Sequence, residues 1–415
     1  MRRGSGARRR EGARLDAVAP YAARDVPFVA TFFSCVLVSR VIDEHRLYLR
    51  DPHRVSAYER ALREVVRPGD VVVDLASGTG ILGMLACRAG AARVYAIEER
   101  GIAGLARLIA RANGFERIIT SVRGNSRTVT VPERADVVVC DQIGGFGLEA
   151  DILELAKDVR ERFLRPGGTF VPRGLELMVA PVEHAGLHGR LRFWKGRPAD
   201  FDCTPAVEVA ANTGYSVRLR PEHLLSAPVA AATLDLTVDH PVPLQLSGAL
   251  RASRDGVLHG IAGWFVARLS PHVTMTNSPL SVERIHRRQA FFPIEAAVPI
   301  KAGATIDVSM RILPADTMYA WEVRVSPPAG PPVTFRHSTL RGLLLGREDL
   351  ERTNPAHRPA LTRPGVARLA VLRLCDGDHA LADIERAVYE EYGDLFASPQ
   401  EAAMFVAGVV TRYSR

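Results

Sequence analysis

Lysine is almost missing from this chain. Of 415 residues only Lys157, Lys195 and Lys301 are lysines, against 51 arginines, and the net charge is +8. A bias of that kind reflects the base composition of a genome rather than a task. A nucleic-acid role would need basic residues interleaved with aromatics on a folded surface; aromatics make up 7% and no such stretch occurs, so no nucleic-acid partner is expected. Cysteine is also sparse. Cys35, Cys87, Cys140, Cys203 and Cys375 are widely scattered with no C-x-x-C pair, which argues against a zinc site and a disulfide framework and leaves reduced cytoplasm as the expected compartment. No metal is predicted. Long apolar runs are missing too. The segment Phe28 to Ser39 is shorter than the ~20 residues that span a bilayer, follows Arg24 and Asp25, and has no clean cleavage site after it. It reads as a core or lid element, and no membrane partner is expected. The opening run MRRGSGARRREGAR has no hydrophobic pattern, so residues 1–25 are predicted to be a disordered basic tail.

What is present is a strong signal at Val71-Val-Val-Asp-Leu-Ala-Ser-Gly-Thr-Gly-Ile-Leu82. A β-branched run without polar partners suits a parallel strand covered on both faces. Asp74 falls at that strand's carboxyl end, where open α/β sheets bind ligands. Gly78 and Gly80 allow a sharp turn and a close approach of backbone to a ligand. Gly78, Gly80 and Gly83 also meet the G-x-G-x-x-G spacing of dinucleotide binders, with Glu98 about 20 residues beyond the loop's start. A glycine-rich turn without a ligand is the bland alternative, so the loop by itself leaves the cofactor open.

Strands and helices alternate through the first half: strands at Val71–Leu75, Arg93–Ile97, Ile118–Arg123, Ala135–Cys140 and Thr169–Pro172, and helices at Tyr58–Val66, Gly80–Ala89, Gly101–Asn113 and Asp151–Phe163. Arg165-Pro-Gly-Gly168 marks a turn. This alternation predicts a doubly wound, Rossmann-like parallel sheet over residues 26–175. Residues 176–340 switch to short alternating segments such as GIAGWFVARL and ATIDVSMRIL, broken by Pro, Gly and Asn, which predicts an antiparallel sheet or β-barrel, the barrel being the first choice. Residues 350–415 read as a third unit with helices at Val366–Leu374, Leu381–Tyr392 and Pro399–Tyr413, the last with Ser398 and Glu401 at capping-box spacing.

The phrase Asp-Leu-Ala-Ser-Gly-Thr-Gly-Ile-Leu, followed by Ala-Gly-Ala-Ala-Arg-Val-Tyr-Ala-Ile-Glu98, resembles motif I and the next acidic strand of class I S-adenosylmethionine (SAM) methyltransferases, in the variant of the protein arginine methyltransferase family. The resemblance extends upstream to Tyr48-Leu-Arg-Asp51, Arg54 and Tyr58, and downstream to HGIAGWFVARL and Ile285-His-Arg-Arg-Gln289. The latter stands where the family carries Thr-His-Trp-x-Gln and matches it at His286 and Gln289. The resemblance implies SAM as cofactor. It implies that Ala76, Ser77, Gly78, Thr79 and Gly80 lie against the methionyl part, Arg54 on its carboxylate and Glu98 on the ribose, with Asp74 and Asn125 also binding the cofactor. The Gly124-Asn-Ser-Arg127 stretch lacks the acidic residue with which the family binds adenine. Ala76 stands where the family usually has glycine. The family grips a guanidinium with two glutamates nine residues apart. Here Asp141 replaces the first, the ninth position is Ala150, and Glu149 and Asp151 bracket it. Asp141, Glu149 and His286 are the candidate catalytic residues, with Asp141 also beside the cofactor.

The run Leu-Arg-Leu-Cys-Asp-Gly-Asp-His-Ala-Leu-Ala-Asp-Ile, with a Tyr-Gly pair after it, resembles the PqqD-like family, small winged-helix-like domains of three helices and a short sheet that bind leader peptides by adding a strand. A helical cap or dimerisation element is the alternative, and homodimerisation is one assembly it allows. Together the resemblances imply a methyltransferase acting on a ribosomally made precursor peptide, N-methylation with arginine first and O-methylation second. The rivals are a general protein methyltransferase with a structural C-terminal unit, a non-catalytic peptide-binding protein and, most remotely, a dehydrogenase.

Overall fold

The structure is a computed structural model that describes residues 38–414 apart from 328, 329 and 345. The predicted basic tail lies outside the described residues, as does the apolar segment from Phe28 up to residue 37. The chain forms two compact units, Val41–Gly346 and one that contains Arg347–Arg415.

Helix α1 (Val38–Leu49), which belongs to the first unit from Val41 on, and α2 (Pro52–Val65) come first. Asp51 caps α2 by accepting the Arg54 amide, with Pro52 preset for the first turn. Strands β1 (Val71–Leu75), β2 (Arg93–Glu98), β3 (Ile119–Arg123), β4 (Ala135–Cys140) and β5 (Leu164–Val171) follow, joined in part by α3 (Ile81–Ala89), α4 (Ile102–Ala112) and α5 (Ile152–Asp158). All pairings are parallel, in the order β3-β2-β1-β4-β5. Val71 to Leu75 and most of β4 are buried, as their unbroken apolar runs require. The chain winds outward from β1 to β3, then returns to start β4 on the other side of β1. That reversal opens a crevice at the carboxyl ends of β1 and β4, where Leu75 and Cys140 pair.

Two local expectations change. Arg165-Pro-Gly-Gly168 is not a turn before the strand but an irregularity within β5: Ala135 pairs with Leu164 and Val137 with Thr169, so four residues are looped out against one. The helix expected over Asp151–Phe163 is α-helical only to Asp158 and continues as one π-helical turn, Val159–Phe163.

The rest of this unit is antiparallel. It contains β6 (Gly174–Val182), α6 (Ala185–Lys195), α7 (Ala206–Ala211), β7 (Tyr215–Val217), β8 (Val229–Asp235), β9 (Leu244–Arg251), β10 (Gly256–Arg268), β11 (Thr274–Thr276), β12 (Gln289–Ile300), β13 (Thr305–Leu313), β14 (Met318–Ser326) and β15 (Val333–Ser338). The predicted barrel is two sheets instead: β7-β12-β10-β6-β8 with β11 beside β10, and β15-β14-β13-β9. Period-two burial along β13 gives each strand one core face, and those faces share a single core that includes Ile261, Phe265, Phe292, Val308 and Trp321. Trp321 Nε1 donates to the Pro293 carbonyl at 2.9 Å and ties one sheet to the other.

The C-terminal unit holds a short helix α8 (Arg347–Arg352) and the three expected helices, α9 (Arg363–Leu374), α10 (Leu381–Tyr392) and α11 (Pro399–Tyr413). Its own core comprises Ala367, Val371, Ile384, Val388, Tyr392, Val406 and Val409. Ser398 accepts the Glu401 amide as predicted, while Glu401 reaches back to the Ala397 amide, one residue outside the usual reciprocal box. Residues 347–414 contain no strand, so the short sheet of the winged-helix expectation is not found among the described residues. After a turn at 355–356, residues 357–362 carry no helix or strand, and Thr362 caps α9 by accepting the Gly365 amide.

Candidate functional site

The crevice at the ends of β1 and β4 is a cleft of about 600 Å³, the size class of cofactor sites. Its floor is the loop after β1. Ser77 donates to the Ile97 carbonyl at 3.0 Å and Gly80 to the Ser77 carbonyl at 2.7 Å, closing a tight turn. Gly78 has a φ of +55°, and a Cβ there would come within 2.5 Å of the His45 ring, so glycine lets α1 close over the loop. Ala76 adopts a φ of +53° without glycine's freedom, a strained position at the cleft edge.

Glu98 ends β2 and is buried. Its Oε2 accepts the Gly78 amide and its Oε1 the Arg100 amide, both at 2.9 Å, which fixes the carboxylate while leaving further lone pairs facing the cleft. Asn125 lines the cleft and donates to Glu99. Arg54, on the first turn of α2, uses Nε on Asp141 at 2.5 Å and Nη1 on the Tyr48 carbonyl at 3.4 Å, and its guanidinium lies 5.0 Å from the Tyr48 ring centre.

Asp141, the residue after β4, reaches the same wall because β4 neighbours β1. Its Oδ1 accepts from Tyr58 at 3.0 Å and from Arg287 Nη1 at 3.4 Å; its Oδ2 accepts from Arg54 and from Arg287 Nη2 at 3.1 Å. Burial alone would raise the Asp141 pKa, but Arg287 and Arg54 outweigh it and hold the carboxyl below its usual range. Burial, aided by Asp141, pushes the Tyr58 hydroxyl well above its ordinary value.

The structure therefore brings Arg54, Ala76, Ser77, Gly78, Thr79, Glu98, Asn125 and Asp141 to one cleft. Four predicted residues lie elsewhere. Gly80 caps α3 behind the loop. Asp74 is fully buried and binds the Gly83 amide at 2.8 Å, holding α3 on β1. Glu149 folds back on its own glycine-rich loop and accepts from the Phe146 and Leu148 amides. His286 is exposed, and its backbone amide, not its ring, makes the contact that matters, donating to Asp51 at 2.6 Å. Sequence reasoning missed Arg287, which stands at the family's tryptophan position and lines the cleft. It also missed Asn277, whose side-chain amide donates to the Gly145 and Arg288 carbonyls and whose oxygen accepts the Phe265 amide. An arginine among 51 carried no signal, and the asparagine has no local partner in sequence. Among the described residues no His, Cys, Asp and Glu group is placed to hold a metal, and no helix is long and apolar enough to cross a membrane.

Asp74 gives a pH signature. Burial raises its pKa from 3.8 to about 7, against the Gly83 hydrogen bond that lowers it. Between those values the unfolded chain ionises and the folded one does not, so stability is lost as pH rises from about 4 to about 7, at up to ~1.4 kcal/mol per pH unit. Asp74→Asn removes that term. Urea unfolding without added SAM should show the variant gaining on the parent as pH rises from 4 to 7 and levelling above; a constant gap would place Asp74 in contact with water.

A parallel sheet with a glycine loop, a buried acid at the end of its second strand and an appended antiparallel half defines a class I methyltransferase architecture. Residues 58–177 match the family model for ribosomal protein L11 methyltransferase, and residues 175–323 match the arginine methyltransferase oligomerization subdomain. The chain is 30% identical over 289 residues to protein arginine N-methyltransferase 6 of Xenopus tropicalis, covering 66% of this chain and 85% of that one. It is 31% identical over 278 residues to arginine N(omega)-methyltransferase of Streptomyces achromogenes subsp. streptozoticus, covering 63% and 74%. Among solved structures, the Trypanosoma brucei PRMT1 enzyme-prozyme complex with AdoHcy superposes with a TM-score of 0.65 at 21% identity, covering 71% of this chain and 98% of that one. Protein arginine methyltransferase 10 of Arabidopsis thaliana gives 0.62 at 20%, covering 72% and 97%. The chain belongs to the protein arginine methyltransferase family and is a methyltransferase. The residues present fit SAM: Glu98 has unused lone pairs for two hydroxyls, and Arg54 has donors with no partner among the described residues for a carboxylate.

Proposed function

We propose that this chain transfers the methyl group of SAM to a side chain of a ribosomally synthesised precursor peptide whose leader is held by the C-terminal unit. The carrying observation is that Glu98 and Arg54 line one cleft at the β1–β4 reversal, an acid suited to the ribose end of SAM and a guanidinium suited to its carboxylate end. SAM bound there supplies an electrophilic methyl group. The chain's own residues then orient an acceptor in line with it, which is most of what such a displacement needs.

The peptide reading is supported by the Cys375-Asp-Gly377 junction and by a helix order and core that make residues 347–414 a self-contained module. Capture by the leader raises the local concentration of a weakly bound core segment, to about the millimolar range for a suitable linker. Nitrogen of arginine leads as acceptor on kinship, since the relatives are named arginine methyltransferases. Oxygen, of a carboxylate or hydroxyl, is the second reading. One observation favours it: the acid that should receive an acceptor guanidinium is already paired with Arg287. Assembly as a homodimer is supported by the match to the family's oligomerization subdomain.

Co-expression with a precursor peptide, followed by mass spectrometry, should give increments of one methyl group in the core segment; no increment with SAM present would sink the proposal. Deleting residues 347–415 should abolish peptide affinity and spare SAM binding. Affinity that survives the deletion points to a structural C-terminal unit.

A further inference from the structure

Arg287 sits on the loop between β11 and β12, which returns to the cleft because Asn277 and Gln289 pin both of its ends. Gln289 donates to the Asn277 carbonyl at 2.6 Å and accepts the Leu219 amide at 2.9 Å. From there the Arg287 guanidinium meets Asp141 end-on, with Nη2 3.1 Å from Oδ2 and Nη1 3.4 Å from Oδ1, and Nη1 donates to the Ile143 carbonyl at 2.6 Å. The ring of Phe265 lies 6.0 Å from it. This end-on, two-point contact is the one an acceptor guanidinium would make with that acid. The side chain is 16% exposed and its partner Asp141 9%, so the pair is not a loose surface contact.

With Arg54 and Tyr58 also on Asp141, both oxygens of the acid are filled by the chain's own donors. Glu149 offers no substitute, because it is folded back on the amides of its own loop and does not line the cleft. A second guanidinium at Asp141 would meet two buried cations and an acid whose oxygens are already paired, a repulsion that low-dielectric surroundings strengthen. The other acids of the cleft, Glu44, Glu98 and Glu99, make no hydrogen bond with Asp141 among the described residues. The other face of Arg287 is different. Its Nε–H and one Nη2–H form a side-on fork that has no partner among the described residues, and the residue lines the cleft. Such a fork matches a carboxylate in two points.

We infer that Arg287 is the specificity-determining residue of the acceptor pocket: it fills the guanidinium seat and presents its free fork to an acceptor carboxylate, so the site methylates oxygen. This goes beyond the proposed function by choosing between its two acceptors, and it rests on that reading for the methyl donor. The chemistry balances without a base. A carboxylate oxygen forms the new C–O bond as the S–C bond of the donor breaks and its electron pair goes to sulfur; anion and sulfonium become ester and neutral thioether. A guanidinium would have to lose a proton, and Asp141, held below its usual range by two arginines, is a poor acceptor for one.

The test uses the full chain, loaded with S-adenosylhomocysteine so that Arg54 is engaged, and titrates N-acetylglutamate amide against N-acetylarginine amide by calorimetry. Wild type should bind the glutamate probe at least about tenfold more tightly, and Arg287→Ala should lose that preference. Arg287→Lys, which keeps the charge but not the fork, should fall between them. Arginine binding equal to or tighter than glutamate in wild type, no detectable glutamate binding, or a preference unchanged in both variants overturns the inference. The wild-type comparison decides even if a variant fails to fold. Failure of S-adenosylhomocysteine to bind would count against the donor reading alone, and the Arg287-dependent preference is then read on the unloaded protein.

Discussion

Glu98→Ala is expected to weaken SAM binding about a hundredfold or more in titration calorimetry, while circular dichroism stays native. The carboxylate does two jobs at once. It accepts the amides of Gly78 and Arg100, which shape the loop, and in the proposed reading its remaining lone pairs receive the ribose of SAM. Hydrogen bonds to a charged group are worth about 1.5–3 kcal/mol each, and the buried Gly78 amide would also be left without an acceptor. Losing two such contacts exceeds the ~2.8 kcal/mol that a hundredfold represents. Glu98→Gln keeps the shape and one good acceptor, so its loss should be intermediate. An alanine variant within about threefold of wild type would show that the ribose is not seated on β2.

Asp141→Ala should be the most destabilising single change in the cleft. It strands Arg54 and Arg287 as buried cations, the situation in which removing one partner of a buried pair costs about 3–5 kcal/mol. The readout is the urea midpoint of the first unit at neutral pH without SAM. Combining Asp141→Ala with Arg287→Leu should recover part of the loss, because one of the uncompensated charges is gone and a leucine can pack against Phe265. A single-variant loss below about 1 kcal/mol would mean that both arginines find water readily.

These two residues also mark how far the sequence could be read. β1 and β4 were legible to the residue because strands buried on both faces carry unbroken apolar runs, helix Leu381–Tyr392 by its amphipathic periodicity, and Pro399–Tyr413 by its periodicity together with its Ser398 cap. That Arg54, Glu98 and the loop would share one cleft was legible for the same reason, since each is tied to an element end. The acceptor end was not. Arg287 reaches Asp141 across 146 residues, and no local pattern announces a contact made by a loop returning from the other half. Glu149 was read as a pocket acid by its spacing, but Gly144 leaves room for it to fold back: a Cβ there would lie 1.8 Å from its carboxylate oxygen. The choice between sheet and barrel was not legible for a related reason. Period-two burial specifies which face of each strand is buried and leaves open whether the strands close on one another or form two sheets.

Asn277 has a consequence for modularity. Its one side chain holds Gly145 of the acceptor loop, Arg288 of the returning loop and Phe265 of β10. The cofactor seat is thus portable, built wholly from residues before β5, whereas the acceptor pocket is a joint product of both halves. A chimera spliced at the β5–β6 junction, with its antiparallel half from a relative, would keep its appetite for SAM and inherit its acceptor preference from whichever half supplies the residue at 287.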